Sequence, residues 1–410
     1  MPRPGIEARW PALRSPAFRR LLLARLATVI GTNALIVAVG WQVYDIGRSA
    51  FQLGLIGLVQ FLPAILLIPV TGTVADRYPR RTVIAIGLLV MALCAGALLA
   101  ISLAGIDVVW PFLAILTLFG TCRAFLNPAH QSLIPNLVPV RHLGNAVAIT
   151  TITGRAGQAI GPLAGGMLYG ISAGVAHAAV LATFLAGAAL AATIPRPAKR
   201  IAAPRISLQS LTAGFNYIWN TRAMLGAISL DVFAILLGGA TALLPIFARD
   251  ILDAGPSGLG ILRGAPAVGG MAVALYLSVW SIRNSVGVTM FATVAVFGAA
   301  TAVFGLSTNL WLSALALVVM GGSDVASAYI RWTLVQIWTP DEVRGRVSAV
   351  SSVSASGSTE LGEFRAGSMA AAFGAVPAVV FGGVAIIGIV ALWIRWFPEL
   401  LRVRHFDRPV

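Results

Sequence analysis

The sequence predicts an all-α integral membrane protein with twelve transmembrane helices in two pseudo-symmetric six-helix bundles, and three observations carry that reading. First, 58% of the 410 residues are hydrophobic and only 10% are charged, with a mean hydropathy of +0.89. A soluble domain is about half apolar and about a quarter charged. Second, apolar runs of spanning length recur along the whole chain, and twelve spans of roughly 20 residues leave room only for short loops. Third, the positive charges of the loops and tails fall almost entirely on one side of that ladder of runs.

Read between turn signals, the spans of the first half are 21–44, 51–75, 82–104, 108–126, 145–171 and 174–194. Those of the second half are 223–248, 256–281, 286–307, 310–333, 347–373 and 376–397. The first run follows Arg19 and Arg20 as a signal peptide would, but its length, its Arg25 and the spans behind it make it an uncleaved first helix. The polar stretch 195–222 reads as a linker with a short amphipathic piece. The expected organisation is a tail (1–20), an N-terminal bundle (21–194), a linker (195–222), a C-terminal bundle (223–397) and a second tail (398–410).

The net charge of +15 suggests a polyanionic partner only until the charges are placed. Twenty cationic residues fall on one side of the ladder, among them Arg14, Arg19, Arg20, Arg77, Arg80, Arg81, Arg141, Arg222, Arg344 and Arg346. The other side has two, Arg48 and Arg249. Cytoplasmic loops carry the arginine and lysine excess, so both termini are expected in the cytoplasm of a bacterial inner membrane. The charge is topology, and no nucleic acid is expected as partner. Lys199 is the only lysine and Arg200 follows it, so no G-x-x-x-x-G-K-[ST] phosphate loop exists and no nucleotide is expected. Cys94 and Cys122 both lie inside apolar runs, where packing is the expected role.

Transporters often consist of related halves, and one offset of 201 residues aligns Gly120 with Gly321, Pro139 with Pro340 and Gly144 with Gly345. The same offset aligns Ala148 with Ala349, Gly161 with Gly362 and Gly166 with Gly367. These matches bracket helices 4 and 5 against helices 10 and 11, as a parallel duplication would.

Two motifs go beyond topology. The loop GTVADRYPRR, from Gly72 to Arg81, puts a carboxylate, Asp76, at the membrane edge among arginines that meet anionic headgroups. Helix 5 carries Gly157, Gly161, Pro162, Gly165 and Gly166; the glycines flatten one face for close packing, and Pro162 removes a backbone hydrogen bond and favours a kink. The loop resembles the G-x-L-a-D-r-x-G-r-r signature of the major facilitator superfamily, with Val74 and Pro79 as departures. The helix 5 run resembles that superfamily's exporter signature, G-x8-G-x3-G-P-x2-G-G, with Ala148 replacing its first glycine. Segments at 231–252, 123–129, 339–347 and 357–364 are similar to its enterobactin-exporter-like group. The resemblance implies the major facilitator fold, a cytoplasmic latch at Asp76 supported by Gly72, Arg77, Arg81, Arg344 and Arg346, and efflux of a siderophore or amphiphilic drug. The matching loop after helix 8 keeps Arg283 and no aspartate, so the second latch is eroded.

A charge within hydrocarbon is costly unless it is paired or faces water, so each intramembrane one is a candidate for function. Asp231, a third of the way into helix 7, is the first expectation for proton coupling, followed by Glu360 and Glu363 on helix 11; permanent pairing with Arg331 or Arg365 is the competing reading. Arg123, which resembles the superfamily's helix 4 arginine, and Arg155 could attract an anionic substrate or form structural pairs. Asn33 could hydrogen-bond substrate or a neighbouring helix. Arg263, Asp324, Arg331 and Arg365 complete the set, and Asp324 and Arg331, seven residues apart, share a face of helix 10. His130 and His142 fall near the cytoplasmic edge, so a histidine relay, a metal site or any other cofactor is not expected.

The chain is thus expected to be a monomeric secondary exporter, not an enzyme, its partners a small-molecule substrate, protons and the lipid bilayer. A symporter or uniporter importing a nutrient is the nearest alternative, and an intramembrane lipid-modifying enzyme a remote one.

Overall fold

Long uninterrupted helices dominate the chain because a bilayer core offers no partner to a free backbone amide or carbonyl. The computed structural model describes residues 10–67, 70, 71, 74, 77–195, 208–282 and 284–406. The first six long helices are α1 (Pro16–Gly47), α2 (Ala50–Leu66), α3 (Arg80–Leu103), α4 (Trp110–Leu133), α5 (Leu143–Ile171) and α6 (Ala173–Ala192). After a linker helix, Leu208–Asn220, come α7 (Arg222–Gly238), α8 (Gly255–Val279), α9 (Val286–Leu306), α10 (Leu310–Trp338), α11 (Asp341–Phe373) and α12 (Ala375–Trp396). Among the described residues, nine helices are both long and apolar enough to cross a membrane. The other three depart for separate reasons: α2 is apolar but shorter, and α5 and α11 have ample length but too many polar residues.

Local chemistry sets the ends. Asn309 starts α10 by accepting from the amides of Trp311 (2.9 Å) and Leu312 (3.1 Å), and Ser172 starts α6 by accepting from Val175 (3.1 Å). Asn309 thus fills two of the orphan donors of a first turn and Ser172 one. Asp341 and Glu342 open α11 after Pro340, where negative charge complements the helix dipole.

The expected single span 223–248 is interrupted. Gly239 takes a left-handed conformation (φ +32°) and ends α7; the chain continues through a 3-10 turn, Ala240–Leu243, and a π-helical turn, Phe247–Ile251. Left-handed geometry at that point suits a residue without a Cβ. Pro162, by contrast, leaves α5 continuous from Leu143 to Ile171.

Packing divides the chain into two compact units, Met1–Gln42 with Leu62–Arg205 and Val43–Phe61 with Ile206–Val410. The last turn of α1 and most of α2 thus pack with the later helices. In the first unit, the α5 glycines form a seam against α1. A Cβ built on Gly157 would lie 2.8 Å from Val29, on Gly161 2.8 Å from the Ile30 carbonyl oxygen, and on Gly165 2.6 Å from that of Ala34. In the second unit the repeat partner of Gly161 does the equivalent: a Cβ on Gly362 would lie 2.7 Å from the Ile235 carbonyl oxygen of α7. Gly367 packs backbone to backbone on Gly54 of α2. The duplication read from sequence spacing is therefore a repeated seam, α5 on α1 and α11 on α7.

A Gly165→Val exchange forces methyl groups against the α1 backbone, which cannot yield as a side chain can. Overpacking of this kind costs about 1–3 kcal/mol, and detergent-solubilised G165V is expected to unfold at lower temperature than the parent, whereas Gly96→Ala, at a position open to space, is expected to unfold with the parent.

Candidate functional site

The second unit gathers its charges around the break in α7. Carbonyls at the end of that helix have lost their helical donors, and Arg365 of α11 replaces them, donating through Nε to Leu236 O (3.0 Å) and through Nη2 to Leu237 O (2.6 Å). A cation at a helix C-terminus also meets the negative end of the dipole. Past the break, Thr241 Oγ1 donates to Glu363 Oε1 (2.8 Å), while the Thr241 carbonyl accepts from Arg263 Nη1 (3.1 Å). Arg263 Nη2 lies 3.9 Å from Glu363 Oε1, close enough for attraction and too far for a direct hydrogen bond. Glu360, one turn earlier on α11, turns the same way. A Cβ on Gly57 of α2 would lie 3.1 Å from Glu360 Oε2 and 3.2 Å from Glu363 Oε2, so both carboxylates converge on that glycine.

Asp231 sits elsewhere in this unit, 3% exposed, with Oδ2 3.1 Å from Nη2 of Arg331, which is 5% exposed. Arg331 Nη1 also donates to Ser351 Oγ of α11 (3.0 Å). Arg331 thus pairs with Asp231 of α7 and Ser351 of α11, while Asp324, two turns away on α10, is half-buried.

In the first unit two candidate side chains bond within their own helices. Asn33 Nδ2 donates to Val29 O of α1 (2.8 Å), and Arg155 Nη1 to Gln158 Oε1 of α5 (3.3 Å). Arg123 is half-buried on α4. Pro162, Gly165 and Gly166 are buried in α5.

Of the predicted latch, Gly72 and Asp76 lie outside the described residues, as do Arg283 and residues 196–207 of the linker. Arg77 is exposed, and Arg81 Nη1 donates to Ile194 O (2.8 Å) beyond the end of α6. Arg80 similarly reaches Ser132 O of α4 (2.6 Å), and Arg20 reaches Thr193 O (2.6 Å). Arg344 pairs with Asp341 (2.5 Å) and donates to Thr339 O (3.1 Å); Arg346 is exposed. The arginine rim therefore also closes helix ends.

Two constellations escaped the sequence reading. His177, fully buried in α6, meets Gln42 Oε1 through Nε2 (2.9 Å), and Gln42 Nε2 donates to Ser102 Oγ of α3 (3.0 Å). His130, expected near an edge, is also buried, inside the last turn of α4. The second constellation joins the end of α1 to the turn before α8. Asp45 pairs with Arg249, Tyr44 donates through its hydroxyl to Asp250, and Arg48 lies 3.7 Å from both Asp45 and Asp250. The available signal was that Arg48 and Arg249 are the two cations on their side of the ladder, each with an aspartate nearby in sequence.

Helices of spanning length with interior charges paired across elements mark a multi-pass membrane protein, and a family match along the chain makes it a transporter of the major facilitator superfamily, which handles small-molecule substrates. A family model described as transmembrane secretion effector matches residues 7–406, and the chain belongs to that family. It is 27% identical over 407 residues to enterobactin exporter EntS of Escherichia coli K12, covering 95% of this chain and 93% of that protein. The EntS protein of E. coli O1:K1 is equally similar, at 27% over 406 residues. Among solved structures, a bacterial homolog of the human lysosomal transporter Spinster, inward-facing and occupied, superposes with a TM-score of 0.72 at 16% identity, covering 94% of this chain and 97% of that one. A bacterial homologue of the iron transporter ferroportin gives the same score and identity, covering 94% and 98%. At these identities the structures report the fold alone.

Asp231→Asn leaves Arg331 buried without its counter-charge, and breaking such a pair costs about 3–5 kcal/mol. Thermal unfolding of D231N is expected to show that loss, and the apolar double exchange Asp231→Leu with Arg331→Met to recover most of it. At the α1 end, Asp45→Arg is expected to impair transport by repelling Arg249, and adding Arg249→Asp to restore it in vesicle uptake assays.

Proposed function

We propose that the chain is a proton-driven exporter that moves a small amphiphilic molecule, of drug or siderophore type, out of the bacterial cytoplasm by alternating access. The direction and the substrate class rest on the likeness, along nearly the whole chain, to proteins named enterobactin exporters. The proton coupling rests on one observation, the Glu363 carboxylate held by Thr241 beside, and not bonded to, Arg263.

A carboxylate poised that way changes the local balance when it takes up a proton. As an anion it attracts Arg263 and accepts from Thr241; neutralised, it releases the guanidinium to the Thr241 carbonyl alone. Thr241 stands at the start of the segment that continues to Arg249 and Asp250, so Glu363 is tied to the chain leading to the ion-pair group at the α1 end. Glu360 shares the approach at Gly57, and in this reading Asn33, Arg123 and Arg155 are the polar groups of the first unit that meet substrate. Arg77, Arg81, Arg344 and Arg346, with Gly72 and Asp76, form the cytoplasmic gate. The working parts are the halves 21–194 and 223–397, in a monomer with both termini in the cytoplasm. A proton shifts the population of one conformation only by its differential stabilisation, about 1.4 kcal/mol for each pKa unit.

Purified protein reconstituted in vesicles, supplied with fluorescent dyes or a catecholate siderophore under an imposed proton gradient, tests the reading. Transport opposite to the proton flow is expected of the parent. Glu363→Gln is expected to lose gradient-driven accumulation while keeping substrate exchange at equal concentrations. Accumulation in the direction of proton flow would establish import instead, and unchanged gradient dependence in E363Q would remove Glu363 from the coupling.

A further inference from the structure

We propose that the outer face of the linker helix, Leu208–Asn220, is a lipid-binding surface seated in the headgroup region of the anionic cytoplasmic leaflet. Phe215 and Trp219, one turn apart, are 53% and 61% exposed, and their rings stack with centroids 5.6 Å apart. Such a pair is a poor match for water and a good one for the interfacial zone, where amphipathic aromatic rings concentrate.

Its orientation is fixed from behind. Ile218 is buried, the Tyr217 hydroxyl donates to Trp338 O at the end of α10 (3.1 Å), and a Cβ on Gly214 would lie 2.6 Å from the Arg346 carbonyl oxygen of α11. The helix is therefore docked by its inner face, and Phe215 and Trp219 point away from the second unit. Their height is set by the chain itself, because α7 enters its span at Arg222, less than one turn beyond Trp219. The charge of the surrounding segment completes the match. In sequence, residues 195–222 contain Arg196, Lys199, Arg200, Arg205 and Arg222 and no aspartate or glutamate; Arg222 pairs with Glu399 (3.3 Å), and the other four make a composition drawn to anionic headgroups. Through Gly214, lipid held at this face would steady the start of α11, the helix of Glu360 and Glu363.

The choice of leaflet rests on the orientation proposed above, whereas the lipid contact does not. Full-length Trp219→Cys and, separately, Phe215→Cys are labelled with a solvatochromic fluorophore, selectively because Cys94 and Cys122 are buried. Each is reconstituted in phosphatidylcholine vesicles with and without phosphatidylglycerol. The expected result at both positions is blue-shifted emission quenched by lipids spin-labelled near the top of the acyl chain, more strongly with phosphatidylglycerol and with that increment abolished by salt. Emission typical of water with free access to iodide would overturn the proposal. Blue-shifted emission without spin-lipid quenching would overturn it in favour of a protein contact, and quenching indifferent to phosphatidylglycerol would overturn its anionic part. Reagent accessibility of the two termini in intact cells tests the orientation independently.

Discussion

Hydrocarbon supplies no replacement for a lost hydrogen bond, so any backbone group released from a helix must be met by the protein itself. The interruption of α7 shows how much follows from that single requirement. Once Gly239 turns left-handed, Leu236 and Leu237 present free carbonyls, and the guanidinium of Arg365 takes both. Beyond the break the Thr241 carbonyl claims Arg263. Two arginines that a charge count would assign to substrate are thus tied to main chain, and the carboxylate of Glu363 enters as the partner of the group between them. The rim repeats the principle in milder form, with Arg20, Arg80 and Arg81 laid on carbonyls at or beyond the ends of α4 and α6.

Close approach of backbones is the second organising feature. Lipid tails are as apolar as leucine, so helices in a bilayer gain little from burying large side chains and more from dense contact. The seam of Gly157, Gly161 and Gly165 on α1 achieves that contact, and Gly362 does the same for α11 on α7. A motif that resembles an exporter signature is, at the level of atoms, the condition for α5 to lie against the α1 backbone. Val29 and Asn33 of α1 fill the spaces left at Gly157 and Gly161, so the seam is packed by side chains from one side and by bare backbone from the other.

What the sequence made legible is what depends on runs of residues: the all-helical, membrane-spanning character of the chain and the repeat at 201. What it hid depends on helix rotation and on pairs far apart in the chain. Asp324 and Arg331 share a face by spacing, yet Arg331 turns to Asp231, a hundred residues earlier, and to Ser351 on the next helix. His177 was lost in an alanine-rich run, where nothing local marks that Gln42 of α1 will meet it. The break at Gly239 was masked by an apolar run that continues through it. The group of Tyr44, Asp45, Arg48, Arg249 and Asp250 could have been found by asking what balances the two cations on the sparsely charged side, a question that the count of positive charges alone does not raise.

The contrast between Asp231 and Glu363 shows why depth in a span is a poor guide to proton exchange. Both carboxylates are removed from water, and desolvation alone would favour the deeper one as an exchangeable group. The two also differ in their partners. Removing the charge of Asp231 strands Arg331 in a site only 5% exposed, with the Ser351 hydroxyl and the Trp332 ring beside it, so the pair resists separation. Neutralising Glu363 strands nothing, because Arg263 keeps the Thr241 carbonyl and the Thr241 hydroxyl can donate to the acid as it does to the anion. In the coupling proposed above, the carboxylate with the weaker partner is the one whose charge changes without dismantling its surroundings, and its contact with Thr241 carries that change to the segment that continues past the break in α7.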